Sequence, residues 1–285
     1  MRTVIITGAT SGIGFAVARA LAKLGYHVIG VGRTIENCEA ARDKLLSEIP
    51  GARIDFFYGD MMQQREVHRL ADDLSAHLDR FCGGRLQALI NNAGCVRSWY
   101  TTSEEGYEQQ FSLNHLSGFL LTYRLFPYLK RCNGRMLLTS SSSHKMMKMN
   151  WKDIMFKNRY YPLMAYKQSK LCNMLFAYAF NTRFAKEGVR AYAVDPGLVN
   201  TEIGNKQTGG LVNFVWRLRK AHGVSADTPA QTYVYLCEQQ PGADGLYYYH
   251  CRKQKYGWQV NEANAERLFK MSEQLCSIEY EVNAI

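Results

Sequence analysis

Short, mostly apolar β-rich runs alternate with longer segments of helical periodicity along most of the chain, and no other feature constrains the fold as strongly. Thr3–Thr7 (TVIIT) is the first such run, and residues 13–24 follow with apolar positions at Ile13, Val17, Ala20, Leu21 and Leu24. Strand-like runs recur at 27–31, 53–58, 86–90, 135–139, 190–194 and 245–249. Helical spacing fills 36–48, 65–78, 107–129, 166–184 and 233–237. Strand–helix alternation of this kind is the pattern of an α/β fold, a doubly wound parallel sheet with helices on both faces. Its central strands read as apolar runs because both of their faces are covered. No internal repeat or Pro/Gly/Ser-rich linker interrupts the 285 residues, so residues 1–285 are expected to form one domain.

The first turn of this pattern carries chemistry. TGATSGIG, Thr7 to Gly14, joins the first strand to the first helix and places glycines at 8, 12 and 14. Residues without Cβ let backbone N–H groups approach a pyrophosphate, and the helix N-terminus adds partial positive charge. Thr10 and Ser11 supply hydroxyl donors. Strand, loop and helix in this order are the context of a Rossmann-type dinucleotide site, although the spacing is G-x-x-x-G-x-G rather than G-x-G-x-x-G. The second strand ends in VIGVGR. Where an acidic residue would bind ribose hydroxyls, Gly32 and Arg33 stand instead. A guanidinium can pair with a 2′-phosphate, which favours NADP(H) over NAD(H); a solvated surface arginine is the plainer alternative. Asp60, after the third strand, is placed either to accept from the adenine amino group or to form a turn. Asn92, Ala93 and Gly94 of NNAG close the fourth strand, at the end where ligands bind in open α/β sheets.

Tyr166 and Lys170 lie one helical turn apart in MAYKQSKLCNML, so they share a face. A free phenol, with pKa about 10, is mostly neutral at pH 7. A cation one turn away favours the phenolate and suits the tyrosine to proton transfer during hydride exchange with a carbonyl. The lysine is also suited to bind nicotinamide ribose hydroxyls. A net charge of +10 comes without a stripe of clustered basic and aromatic residues, so no nucleic-acid partner is expected. The eight cysteines are scattered, form no C-x-x-C pair and have no zinc spacing. They predict neither a disulfide framework nor a metal site, and fit a reducing compartment.

Taken in order, Thr7–Gly14, Asn91–Gly94, Asn114 in SLNHLSGF, Ser141 in TSSSSH, Tyr166/Lys170 and the DPG of residues 195–197 resemble the short-chain dehydrogenase/reductases. The likeness spans nearly the whole chain. It is nearest to the retinol dehydrogenase-type group, through the NHLSGFLLT helix, the serine run ending in His144, the long interval between Ser141 and Tyr166, and VDPGLVNTEI. The resemblance implies a catalytic set of Asn114, Ser141, Tyr166 and Lys170. Ser141 would polarise the substrate oxygen, and Asn114 would hold a water in a relay to the lysine. It adds Ile13, Met61, Pro196, Gly197, Val199 and Thr201 to the cofactor contacts, and implies a homodimer or homotetramer. The helix AYKQSKLCNML is also similar to that of light-dependent protochlorophyllide reductases, a minor alternative. A non-catalytic NADP(H)-binding sensor or scaffold is the other.

Residues 200–224 are read as a substrate loop. Within it, Leu211, Phe214, Val215 and Leu218 share a helical face flanked by Trp216 and basic residues. Three roles suit 211–220: a lid over an apolar substrate, which is favoured, an oligomer contact, or a patch resting on anionic lipid. With the Met- and aromatic-rich 146–161 segment, the loop suggests a bulky hydrophobic alcohol or carbonyl such as a retinoid, steroid or lipid aldehyde. MRTVIITG opens on a strand, and no apolar run approaches a bilayer-spanning length. A cytoplasmic location, with peripheral membrane contact through 211–220 as the variant, is the expectation.

Overall fold

In the computed structural model the described residues are 2–199, 224–239 and 244–280. Among these residues eight strands form one sheet in the order β3-β2-β1-β4-β5-β6-β7-β8. They are β1 (Thr3–Thr7), β2 (His27–Gly32), β3 (Ile54–Tyr58), β4 (Ala88–Asn91), β5 (Arg135–Thr139), β6 (Arg190–Val194), β7 (Tyr247–Tyr249) and β8 (Arg252–Lys253). All neighbours run parallel except β7 and β8. The helices are α1 (Gly12–Lys23), α2 (Ile35–Glu48), α3 (Gln64–Phe81), the short α4 (Gln109–Phe111), α5 (Ser117–Lys130), α6 (Pro162–Phe184), α7 (Asp227–Glu238) and α8 (Glu262–Cys276).

Alternate strand residues enter opposite cores, as a period-2 element requires. Val4 and Ile6 of β1 pack with Val17 and Leu21 of α1 and Tyr233 of α7. Ile5 packs on the other face, among Leu70 and Leu74 of α3 and the aromatic helices α5 and α6. Both faces are covered, which is why the central strands lack polar alternation.

Three departures from the periodicity reading have local causes. α6 starts at Pro162, four residues before Tyr166, because proline at the first turn loses no hydrogen bond and is pre-set to helical φ. The helix expected over 107–129 is broken by a π turn, Ser112–Leu116, that carries Asn114. Such turns are single insertions in an otherwise regular helix. α8 is not announced by the periodicity. Asn261 caps it by accepting from the Asn264 N–H at 3.0 Å, and Leu268 and Phe269 are buried. Phe269 meets Phe119 and Tyr280 at ring separations of 5.1 Å, which closes the core under α5 and α6.

All eight cysteines are free thiols. Among the described residues no helix is long and apolar enough to cross a membrane.

Candidate active site

Chain order reverses between β1 and β4, and the loops that follow these strands meet at their C-terminal ends. Gly8 (φ +68°) and Gly12 (φ +55°) take the left-handed backbone that shapes the first loop. A Cβ on Gly14 would drive into the Gly8 carbonyl, so α1 can press against the loop only with glycine there. Ser11 is the extended residue before α1 and its side chain makes no capping bond. The N-terminus of α1, at Gly12 and Ile13, therefore opens into a cleft of about 210 Å³.

Two loops share the floor of that cleft. The Thr7 hydroxyl accepts from the N–H groups of Asn92 and Ala93 at 3.0 Å each. The Asn92 amide donates back to the carbonyl of Thr7 at 3.0 Å and of Gly8 at 3.4 Å. Gly8, Thr10, Asn92, Ala93 and Gly94 line this floor. At the far end the walls are Arg33, Asp60 and Met61. Arg33 is exposed at the tip of β2, and Asp60 lines the cleft while its carboxylate accepts from the Met62 N–H at 3.1 Å, the turn role. A Cβ on Gly32 would lie 2.5 Å from Thr10 Cγ2 and Cys38 Sγ, which holds Thr10 close against the end of β2.

Tyr166 and Lys170 stand where α6 crosses the end of β5. Lys170 is buried, its Nζ 5.5 Å from the Tyr166 ring centroid and donating to the Thr139 carbonyl at 3.1 Å. Asn173 Nδ2 donates to the same carbonyl at 3.0 Å, and the Ser140 hydroxyl donates to the Lys170 carbonyl at 3.0 Å. Burial pushes the ammonium down to about 8. The lysine lies behind the cleft floor: a Cβ on Gly94 would lie 3.6 Å from Nζ and 3.0 Å from Asn114 Oδ1. Asn114 Oδ1 accepts from the Cys95 N–H at 2.7 Å, while Nδ2 donates to the Cys95 carbonyl at 3.0 Å and the Ser169 hydroxyl at 2.9 Å. Both amide hydrogens are thus spent on protein, and the side chain ties the cleft floor to the α6 backbone, since Ser169 in turn donates to the Tyr166 carbonyl.

The short chain dehydrogenase family profile matches residues 2–210. Retinol dehydrogenase 12 of Mus musculus is 32% identical over 284 residues, covering 98% of this chain and 88% of that protein. Polyprenol dehydrogenase of Homo sapiens is 31% identical over 270 residues, covering 89% and 78%. The crystal structure of an uncharacterised Mycobacterium paratuberculosis protein superposes with a TM-score of 0.77 at 29% identity, covering 99% of this chain and 95% of that one.

The chain is a short-chain dehydrogenase/reductase. It is an oxidoreductase of retinol dehydrogenase-like sequence on a Rossmann-type nucleotide-binding fold. In this short-chain dehydrogenase/reductase, Ser141 begins a 3₁₀ turn (Ser142–Met146), and its hydroxyl accepts from the Ser143 N–H at 3.3 Å. Its carbonyl takes the His144 ring at 2.6 Å. His144 Nε2 accepts from the Gly257 N–H at 3.3 Å, which makes Nδ1 the protonated nitrogen that donates to Ser141. Burial lowers the histidine's proton affinity and keeps it neutral. Asp195 accepts from the Gly197 N–H at 2.9 Å and from the Tyr247 hydroxyl at 2.6 Å, fixing the turn after β6. Pro196 and Gly197 follow in that turn, and Val199 bridges to Val224. Thr201 and the 211–220 segment lie outside the described residues.

Asn37, Met62, Cys95 and Arg97 line the cleft and were not singled out from the sequence. Arg97 is buried, its Nε donating to Gln109 Oε1 at 2.8 Å. Its position three residues past NNAG was the available signal.

Proposed function

We propose that this short-chain dehydrogenase/reductase exchanges hydride between NADP(H) and a bulky hydrophobic alcohol or carbonyl, with Tyr166 as acid and base. The observation that carries the reading is the buried Lys170 ammonium, one turn from Tyr166 and at the foot of the Gly94 floor. The residues present fit a dinucleotide. The glycine cradle and the α1 N-terminus suit a pyrophosphate, and the absence of an acidic side chain at the end of β2, where Arg33 stands, suits a 2′-phosphate. Bound there, the nicotinamide supplies or accepts the hydride.

The chain's own groups do the rest. Lys170 is held by Thr139 and by the Ser140 bond to its carbonyl, so its charge stands at a set distance from the Tyr166 ring. That charge favours the phenolate during oxidation and eases return of the proton after reduction. The Ser141 hydroxyl, with its backbone pinned by His144, is the donor for the substrate oxygen. Leu198 and Tyr249, both exposed beside Gly197, offer apolar surface, and the names of both relatives denote long apolar alcohols.

The test is oxidation of NADPH against a panel of apolar aldehydes and ketones. Wild-type protein should turn over. Tyr166→Phe should lose activity by roughly 10²–10⁴-fold, the worth of a positioned acid, while still binding NADPH. Wild-type protein that binds NADPH and reduces nothing on the panel would count for a sensor instead.

A further inference from the structure

At the opposite end of the sheet from the cleft, three elements bring together groups that sequence spacing did not connect. His27 opens β2, Asp55 lies on β3, and His77 and Cys82 lie at the C-terminal end of α3. One ring nitrogen of each histidine and the Cys82 sulfur lie within 4.8 Å of one another.

The hydrogen bonding prepares this cluster for a cation. His27 Nε2 meets Asp55 Oδ2 at 2.6 Å, leaving Nδ1 to face Cys82 Sγ at 3.4 Å. A carboxylate on one imidazole nitrogen, with the other aimed at a thiol, is the arrangement that orients histidine ligands of metals. The 3.4 Å separation is close to the edge of a zinc tetrahedron, about 3.5 Å for Zn–N near 2.0–2.1 Å and Zn–S near 2.3 Å. His77 Nε2 is buried and makes no hydrogen bond, although it lies 3.3 Å from the same Asp55 oxygen. Its ring is held by Phe57 and Phe81 at 5.3 and 4.8 Å. Cys82 caps α3, so the negative end of the helix dipole also favours a cation there.

We propose that His27, His77 and Cys82 form a binding site for a zinc-like divalent cation, with Asp55 orienting His27 and a fourth position left for water. Two imidazoles and a thiolate suit Zn²⁺ better than the hard, oxygen-seeking Mg²⁺ or Ca²⁺. Binding exchanges the Cys82 S–H bond for a metal–sulfur bond and releases that proton, together with any proton on the His27 nitrogen that takes the metal, with no change of oxidation state. Asp55 is partly exposed, so the largely buried cluster has a solvent-facing carboxylate beside it. The cation would tie β2 to α3 at the edge of the sheet, away from the nucleotide.

The experiment titrates the full chain with Co²⁺ under reducing conditions and reads its absorption. A thiolate-to-cobalt charge-transfer band and four-coordinate ligand-field bands should saturate at one equivalent and be displaced by Zn²⁺. Cys82→Ser should lose the charge-transfer band while keeping wild-type NADPH binding. Absence of these bands from wild-type protein, or the same band in Cys82→Ser, overturns the site. If circular dichroism shows that Cys82→Ser does not fold, His77→Gln decides. Lost ligand-field intensity supports the assignment and unchanged intensity refutes it.

Discussion

Replacing Lys170 by methionine removes a buried ammonium while keeping a long unbranched side chain, and its effect on stability follows from the surroundings of Nζ. Burial holds this group at about 8, against the 10.5 of an exposed lysine. The folded value lies below the unfolded one, so the unfolded chain binds the extra proton between those values and stability rises with pH across that window. At pH 7 the difference costs the folded state about 3 kcal/mol, taking 1.36 kcal/mol per pH unit; at pH 10 it costs under about 1. The methionine variant forgoes the bond to the Thr139 carbonyl, worth about 1 kcal/mol, but Asn173 still donates to that oxygen. Lys170→Met should therefore be about 2 kcal/mol more stable than wild type at pH 7 and nearly equal to it at pH 10. Urea unfolding of both proteins at the two pH values, under reducing conditions, measures this. A variant less stable at pH 7, or a gap that does not change with pH, refutes the reasoning.

Arg33→Asp should lower the NADPH-over-NADH ratio of kcat/KM at least about tenfold, since a charge-assisted contact is exchanged for repulsion; an unchanged ratio removes Arg33 from that role. Gly32→Ala puts a methyl 2.5 Å from Thr10 Cγ2 and Cys38 Sγ, so it should cost about 1–3 kcal/mol of stability and weaken NADPH binding, read by fluorescence titration. Asn114→Ala orphans the N–H and C=O of buried Cys95. A loss of about 2–4 kcal/mol in urea unfolding is expected, and a loss under 1 would show that the π turn repacks.

What the sequence determined by itself is local. Period-2 and period-3.6 patterns place β1, β5 and β6 to the residue. The i, i+4 relation sets Tyr166 and Lys170 on one face of α6, and the glycine spacing of the first loop announces a backbone that must approach a phosphate. Each of these signals lies within a few residues, where chain geometry alone imposes the relation. The order of strands in the sheet does not, and it decides the rest. Lys170 is held by Thr139 on β5, Asn114 spends its amide on Cys95, and His144 pins Ser141 through Gly257, more than a hundred residues on. α8 escaped the reading because its apolar face is explained only by the aromatic wall of α5 and α6 that it covers. His27, Asp55, His77 and Cys82 meet only because β2 and β3 are neighbours and α3 packs back over them. No spacing along one dimension encodes a contact that depends on which strands pair.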